Sequence, residues 1–237
     1  VARGVPAEKV SVVYNWADEK MMQPTEPDPV FRARLGLSRD DFVVMYAGNL
    51  GVAQRLDVAV EAMEHLRDLP DVHLVLVGDG VQRPLLRERA LTRRLPTVHF
   101  VDQIGPDRIA AAMAAADLQL VCLADEPLFH ITLPGKVQAI LACGRPALVC
   151  APGDAARIVT SAGAGLAAPP GDPAGLAAVV RRARATPADG LRTMGDAGRH
   201  HYLLHMSEAI NAQVLADLLA RAGRRPGAPT RRDKETG

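Results

Sequence analysis

The chain has 237 residues, 48% of them hydrophobic and 23% charged, with a formal net charge of +1 at pH 7. That is enough sequence to bury the core of one large globular domain or two small ones. Aromatic residues make up only 3%, which together with the balanced charge argues against a nucleic-acid partner, since such a partner needs stacking platforms and a basic excess. No apolar run approaches the ~18–20 residues of a membrane helix, and residues 1–4 lead straight into folded-looking sequence with no signal-peptide pattern. A cytoplasmic protein is expected, with membrane contact peripheral at most.

In chain order, short runs rich in β-branched residues alternate with helical patterns. Residues 10–14 (VSVVY), 42–47 (FVVMYA), 73–77 (HLVLV), 97–101 (TVHFV), 118–123 (LQLVCL) and 146–150 (PALVC) read as strands. Most are continuously apolar rather than alternating, as strands covered on both faces are, so a parallel sheet between helical layers is expected. Between them, Leu56, Ala59, Val60, Met63 and Leu66 fall on one helix face, as do Ile109, Ala112, Met113 and Ala116, and Leu176, Val179, Val180 and Ala183. Asp172-Pro173 supplies an N-cap and a first-turn proline to the last of these. A final helix is expected over 207–222. Repeated strand–helix units of this length predict a doubly wound α/β domain.

Cys122, Cys143 and Cys150 each sit in an apolar context without metal-ligand spacing, and read as buried reduced thiols. Residues 223–237 carry five basic against two acidic side chains, with prolines, glycines and no apolar period. They read as a disordered basic tail: a solvated terminus, or one that touches anionic lipid.

Ligands in such folds bind at the carboxyl ends of the strands, which singles out four loops: Gly48-Asn49-Leu50-Gly51, Gly78-Asp79-Gly80, residues 102–106 and residues 124–136. The first has glycines suited either to phosphate approaching the backbone or to a sharp turn. It matches neither the GxGxxG fingerprint nor a P-loop. For the second, turn chemistry alone suffices. The fourth has thirteen residues without a secondary-structure pattern, and loops of that length tend to be functional. It ends Leu133-Pro134-Gly135-Lys136 just before a helix. The helix dipole disfavours a cation there, so Lys136 is expected to share an anion with the free amides of the first turn.

His130 lies in that long loop and is a candidate contact to a bound ligand and, with Glu126, a candidate catalytic residue. His201 and His205 are four apart on a helix but lack a third ligand, and read as a solvated face. Asp125 and Glu126 are candidate acid/base groups by position, with solvated carboxylates as the alternative. No Ser-His-Asp, Cys-His or metal-ligand pattern stands out.

With these loops assembled, the chain resembles the C-terminal domain of family-4 glycosyltransferases, in their bacterial exopolysaccharide and O-antigen branch. The resemblance rests on VVMYAGNLGVAQRLDVAVEA, HLVLVGDGVQRPLL, the VHFVDQI to AAADLQLVCL block and PLFHITLPGKVQAILACGRPALV, with a weaker stretch in AGAGLAAPPGDPAGLAAVV. It implies a GT-B fold, in which two Rossmann-like halves face each other. The C-terminal half holds a nucleoside diphosphate sugar and the other half holds a sugar or lipid-linked acceptor. It also implies transfer with retention of configuration and no metal cofactor. VSVVYNWAD resembles the segment that opens the C-terminal half, so the chain is expected to begin near the interdomain crossover and to lack an acceptor half of about 150–200 residues. On this basis residues 1–24 form a linker with the first strand, 25–222 the nucleotide-sugar domain and 223–237 the tail.

Carried over by position, Gly48, Asn49, Gly51, Gln54, Thr132, Leu133, Gly135 and Lys136 would surround the donor diphosphate, and Gly78 and Ile104 would border the base. Many relatives have Arg at the position of Asn49 and Lys at that of Gln54. The family glutamate that accepts from ribose hydroxyls falls on Ala139 here. Loss of such a charge-assisted bond costs roughly 1.5–3 kcal/mol.

The expected function is therefore a UDP-sugar transferase, for example one using UDP-N-acetylglucosamine, in surface polysaccharide or lipopolysaccharide assembly at the inner face of the cell membrane. The alternative is a degenerate, non-catalytic nucleotide-sugar-binding subunit. A UDP-sugar 2-epimerase, which shares the architecture, lacks support in any histidine–acid constellation here.

Overall fold

The computed structural model describes residues 4–223; the basic tail expected over 223–237 lies outside them except for Gly223. Helix α1 (Phe31–Arg34) leads into β1 (Phe42–Ala47), α2 (Leu56–Ala62), β2 (Val72–Val77), α3 (Arg83–Thr92), β3 (Val98–Val101), α4 (Pro106–Ala114) and β4 (Leu118–Cys122). The second half adds α5 (Pro127–His130), α6 (Gly135–Ala142), β5 (Ala147–Cys150), α7 (Asp154–Ser161), β6 (Gly165–Ala167), α8 (Pro173–Arg184), α9 (Ala188–His205) and α10 (Glu208–Gly223). The six strands form one sheet in the order β3-β2-β1-β4-β5-β6, and every neighbouring pair is parallel. This is the doubly wound order, with the direction of winding reversed between β1 and β4.

The continuously apolar strands are explained by burial on both faces. In β1, Val43 and Met45 pack with α4, α6, α7 and α9, while Phe42, Val44 and Tyr46 pack with α2, α3 and α8. The predicted helix faces are the buried ones: Leu56, Ala59, Val60, Met63 and Leu66 on α2 and the 3-10 turn that extends it, and Leu176, Val180 and Ala183 on α8. The Asp172 side chain accepts from the Gly175 amide at 2.9 Å, as its N-cap position predicts. All three cysteines are free and buried.

Two strand assignments differ from the sequence expectation. Residues 10–14 form no strand, and Val10 and Val12 are exposed. This segment finds its hydrogen bonds against the last two helices instead. The Tyr14 amide donates to Asn211 Oδ1 at 2.8 Å, and the Ala17 amide to the Tyr202 hydroxyl at 3.1 Å. Conversely, β6 is a sixth strand that its Gly-Leu-Ala sequence does not announce. It exists because β5 offers it a ladder: a Cβ on Gly165 (φ +158°) would overlap the Ala147 carbonyl.

Candidate functional site

The carboxyl ends of β1 and β2 and the segment after β3 enclose a cleft of about 360 Å³, lined by Gly48, Asn49, Gly78, Asp79, Gln103 and Ile104, with Ile109 of α4 behind them. It lies beside the switch point between β1 and β4, where an open α/β sheet presents its ligand crevice. Close packing of the first two loops dictates their glycines. A Cβ on Gly78 (φ +128°) would overlap the Gly48 carbonyl. The Gly48 and Leu50 amides are spent on Val77 and Asp79 carbonyls. Among the described residues the Asn49 backbone amide, in a loop that lines the cleft, donates to no protein acceptor.

Across the switch point, Lys136 extends from the first turn of α6 toward the end of β1. Its Nζ donates to the Ala47 carbonyl and lies 3.5 Å from the centre of the Tyr46 ring. Among the described residues it forms no ion pair with a carboxylate. Burial pulls its pKa down from the ordinary lysine range to about 7. The helix dipole acts in the same sense. The start of α6 has no side-chain cap; the Val137 amide donates to the Pro134 carbonyl at 2.8 Å, and among the described residues the Gly135 and Lys136 amides have no protein acceptor.

The other sequence candidates are distributed less compactly. Gly48, Asn49, Gly78 and Ile104 line the cleft, and Lys136 meets it at Gly48. The Gln54 side chain turns back to accept from the Gly51 amide at 3.1 Å, which makes this pair a turn clasp. The Thr132 hydroxyl donates to the Leu128 carbonyl at 2.7 Å, and Leu133 packs against the core. Gly135 is exposed at the start of α6. Ala139 lies one turn along α6 on the same side as Lys136, half-buried, and brings no acceptor. The loop 124–136 is not without structure: Pro127 starts a one-turn helix, α5, for which Glu126 stands at the N-cap without a side-chain cap bond. His130 Nε2 lies 2.8 Å from Asp125 Oδ1, both exposed. None of Gly51, Gln54, Glu126, His130, Thr132, Leu133, Gly135, Lys136 and Ala139 lines the cleft itself; Lys136 reaches its edge, beside Gly48.

The sequence marks the loops that hold Asp79 and Gln103 without singling out either side chain, and it gives Tyr46 no role beyond its strand. A tyrosine among the apolar residues of a central strand was the available signal for Tyr46, since a buried phenol needs a partner. Asp79 and Gln103 reach the cleft only because β2 and β3 end beside β1. His201 and His205 lie side by side on α9 with ring centres 4.6 Å apart and ring planes tilted by 48°, and no group of three or more His, Cys, Asp or Glu gathers as metal ligands among the described residues.

These elements make a doubly wound α/β domain with a crevice beside its switch point and a part-buried lysine at the start of α6. Residues 41–186, more than half the chain, match the family described as glycosyl transferases group 1, and the chain belongs to that family. It is 30% identical over 153 residues to the putative colanic acid biosynthesis glycosyl transferase WcaI of Escherichia coli strain K12, an alignment covering 64% of this chain and 37% of that protein. It is 26% identical over 210 residues to the D-inositol 3-phosphate glycosyltransferase of Streptomyces bingchenggensis, covering 84% and 45%. The fold matches GT-B glycosyltransferase structures. Among them is HepE of Anabaena in complex with UDP and glucose, with a TM-score of 0.74 and 22% identity over 92% of this chain and 59% of that one. The chain thus spans less than half the length of these two curated relatives. No helix among the described residues is long and apolar enough to cross a membrane.

Proposed function

We propose that this chain is the nucleotide-sugar-binding half of a retaining glycosyltransferase of family 4, and that it binds a UDP-sugar, UDP-N-acetylglucosamine being the first to test. The observation that carries the reading is the Lys136 ammonium: part-buried, opposed by the dipole of its own helix, without a carboxylate partner among the described residues and placed beside Gly48 at the switch point. A diphosphate between the Asn49 amide, the first turn of α6 and Lys136 would relieve all three penalties. The base would lie toward Gly78 and Ile104. In transfer, negative charge grows on the leaving diphosphate, and a cation and amides already in place stabilise it without a metal. The WcaI relative's name supports a role in surface polysaccharide assembly, in the cytoplasm or at the inner membrane face. The acceptor, a sugar or lipid-linked sugar, would be held by a second domain or subunit.

Calorimetric titration with UDP and UDP-N-acetylglucosamine, with ADP as the control, tests the donor site. Saturable binding selective for UDP and weakened at least tenfold by Lys136→Ala is expected; equal binding by that variant would remove the assignment. Ala139 favours a second reading, a binding subunit without catalysis, because the ribose acceptor is missing there. Transfer by the chain joined to an acceptor half, undiminished by EDTA, separates the two: donor binding without transfer would decide for the subunit.

A further inference from the structure

We infer that Tyr46 is a positioning residue of this site, which seats the Lys136 ammonium and braces the Asn49 loop so that both face the diphosphate together. The inference rests on the proposed donor reading and adds a residue to it. Tyr46 is 1% exposed and occupies the last turn of pleat before the Gly48 loop. A leucine or valine would fill the same layer with α2 and α3 without a phenol to satisfy. Here both polar features of the ring are used. Its hydroxyl donates to the Asn49 carbonyl at 2.7 Å, three residues along the chain. Its face receives the Lys136 Nζ at 3.5 Å from the ring centre, from a helix ninety residues away. One side chain therefore links the strand, the amide-bearing loop and the cation across the switch point.

The ring also determines where the ammonium can go. With Gly48 leaving room on one side and the Ala47 carbonyl accepting from Nζ, the ring face bounds a further side and offers electron density to the charge. Without it, a four-carbon side chain regains its rotamers, and any anion must pay to order it. The hydroxyl acts separately: its bond fixes the Asn49 carbonyl, and with it the peptide that joins Asn49 to Leu50, whose amide donates to the Asp79 carbonyl at 2.8 Å, so the loop carrying the Asn49 amide is tied to β1 at one end and to the end of β2 at the other.

The two contributions separate by substitution. Tyr46→Phe keeps the ring and loses the brace; Tyr46→Leu loses both. UDP affinity is measured by calorimetry for the wild type, both variants, Lys136→Ala and the Tyr46→Leu/Lys136→Ala double variant, with thermal melts as the check on folding. Tyr46→Leu is expected to weaken UDP binding about tenfold and Tyr46→Phe about threefold. On the Lys136→Ala background, Tyr46→Leu should cost far less, because a residue acting through Lys136 is non-additive with it. Additive losses, or wild-type affinity in Tyr46→Leu, would overturn the inference. The seat itself is read without any nucleotide, from the upfield ring-current shift of the Lys136 ε-methylene resonances, present in the wild type and Tyr46→Phe and lost in Tyr46→Leu. If the wild type binds no UDP, the donor reading falls and this role falls with it. If UDP binds through Lys136 but the ring-current shift is absent, only the Tyr46 inference fails.

Discussion

An added Cβ on Gly48 would lie 2.6 Å from the Lys136 Nζ, so the cation occupies space that any other residue at position 48 would claim. Gly48 also sits at φ +141°, a region that side chains rarely adopt. Gly48→Ala is expected to lower stability by about 1–3 kcal/mol through strain and to displace the ammonium. UDP affinity should fall at least tenfold while the rest of the fold persists. A melt and a titration on the same sample check both; unchanged affinity would mean that Lys136 has another place to sit.

Lys136 should make both stability and binding depend on pH. Its folded pKa of about 7 lies below the unfolded value of 10.5, so the unfolded chain binds more protons between those limits. Stability therefore rises as pH increases from 7 toward 10.5. Lys136→Met should lack that rise and be more stable than the wild type near pH 7, while binding UDP more weakly. For the wild type, UDP binding at pH 8 should take up about one proton per site, as the diphosphate restores the charge. Calorimetry in buffers of different ionisation enthalpy measures this, and no proton uptake would contradict it.

A second titration is built into the far end of the sheet. His73 on β2 and His99 on β3, whose register partner is Val75, stand diagonally across the strand pair with Nδ1 and Nε2 3.0 Å apart. Burial holds both below the usual histidine pKa of 6.5. Asp41, 3.7 Å from His73, and Asp71 favour its charged form, while Arg32 opposes it. With the folded pKa values depressed, the stability they contribute is present above about pH 6.5 and lost as pH falls below it. Denaturant melts from pH 7.5 to 5 should show this decline, and His99→Gln should flatten it.

The C-terminus of α3 carries an arginine where such turns favour glycine. Arg94 lies at φ +52°, with the Leu95 amide bonded to the Ala90 carbonyl and the Arg94 amide to Leu91. Helix α6 ends in the same pattern with Gly144 at φ +62°. The Arg94 side chain takes part in no ion pair among the described residues. Arg94→Gly is expected to raise stability by about 1 kcal/mol, read as a higher denaturant midpoint at unchanged slope.

The strands of the sheet centre were legible because burial on both faces leaves a continuous apolar run, and the helices because one face of each is apolar. Residues 10–14 misled because a β-branched run becomes a strand only where a neighbour offers a ladder, and here the last two helices lie alongside it. Residues 165–167 escaped notice for the converse reason: a ladder on β5 makes a strand of a sequence with no preference for one.

By itself the sequence determined the alternation of strands and helices, the layered architecture, and the incongruous lysine at the start of α6. Each of these is carried by periodicity or by a neighbour within a few residues. Only the tertiary structure decided what that lysine meets. Gly48, Tyr46 and Lys136 are brought together by the β1–β4 pairing of the sheet. The same pairing leaves Thr132, Leu133 and His130 outside the cleft. Contacts between segments some ninety residues apart depend on strand order, which local patterning does not encode.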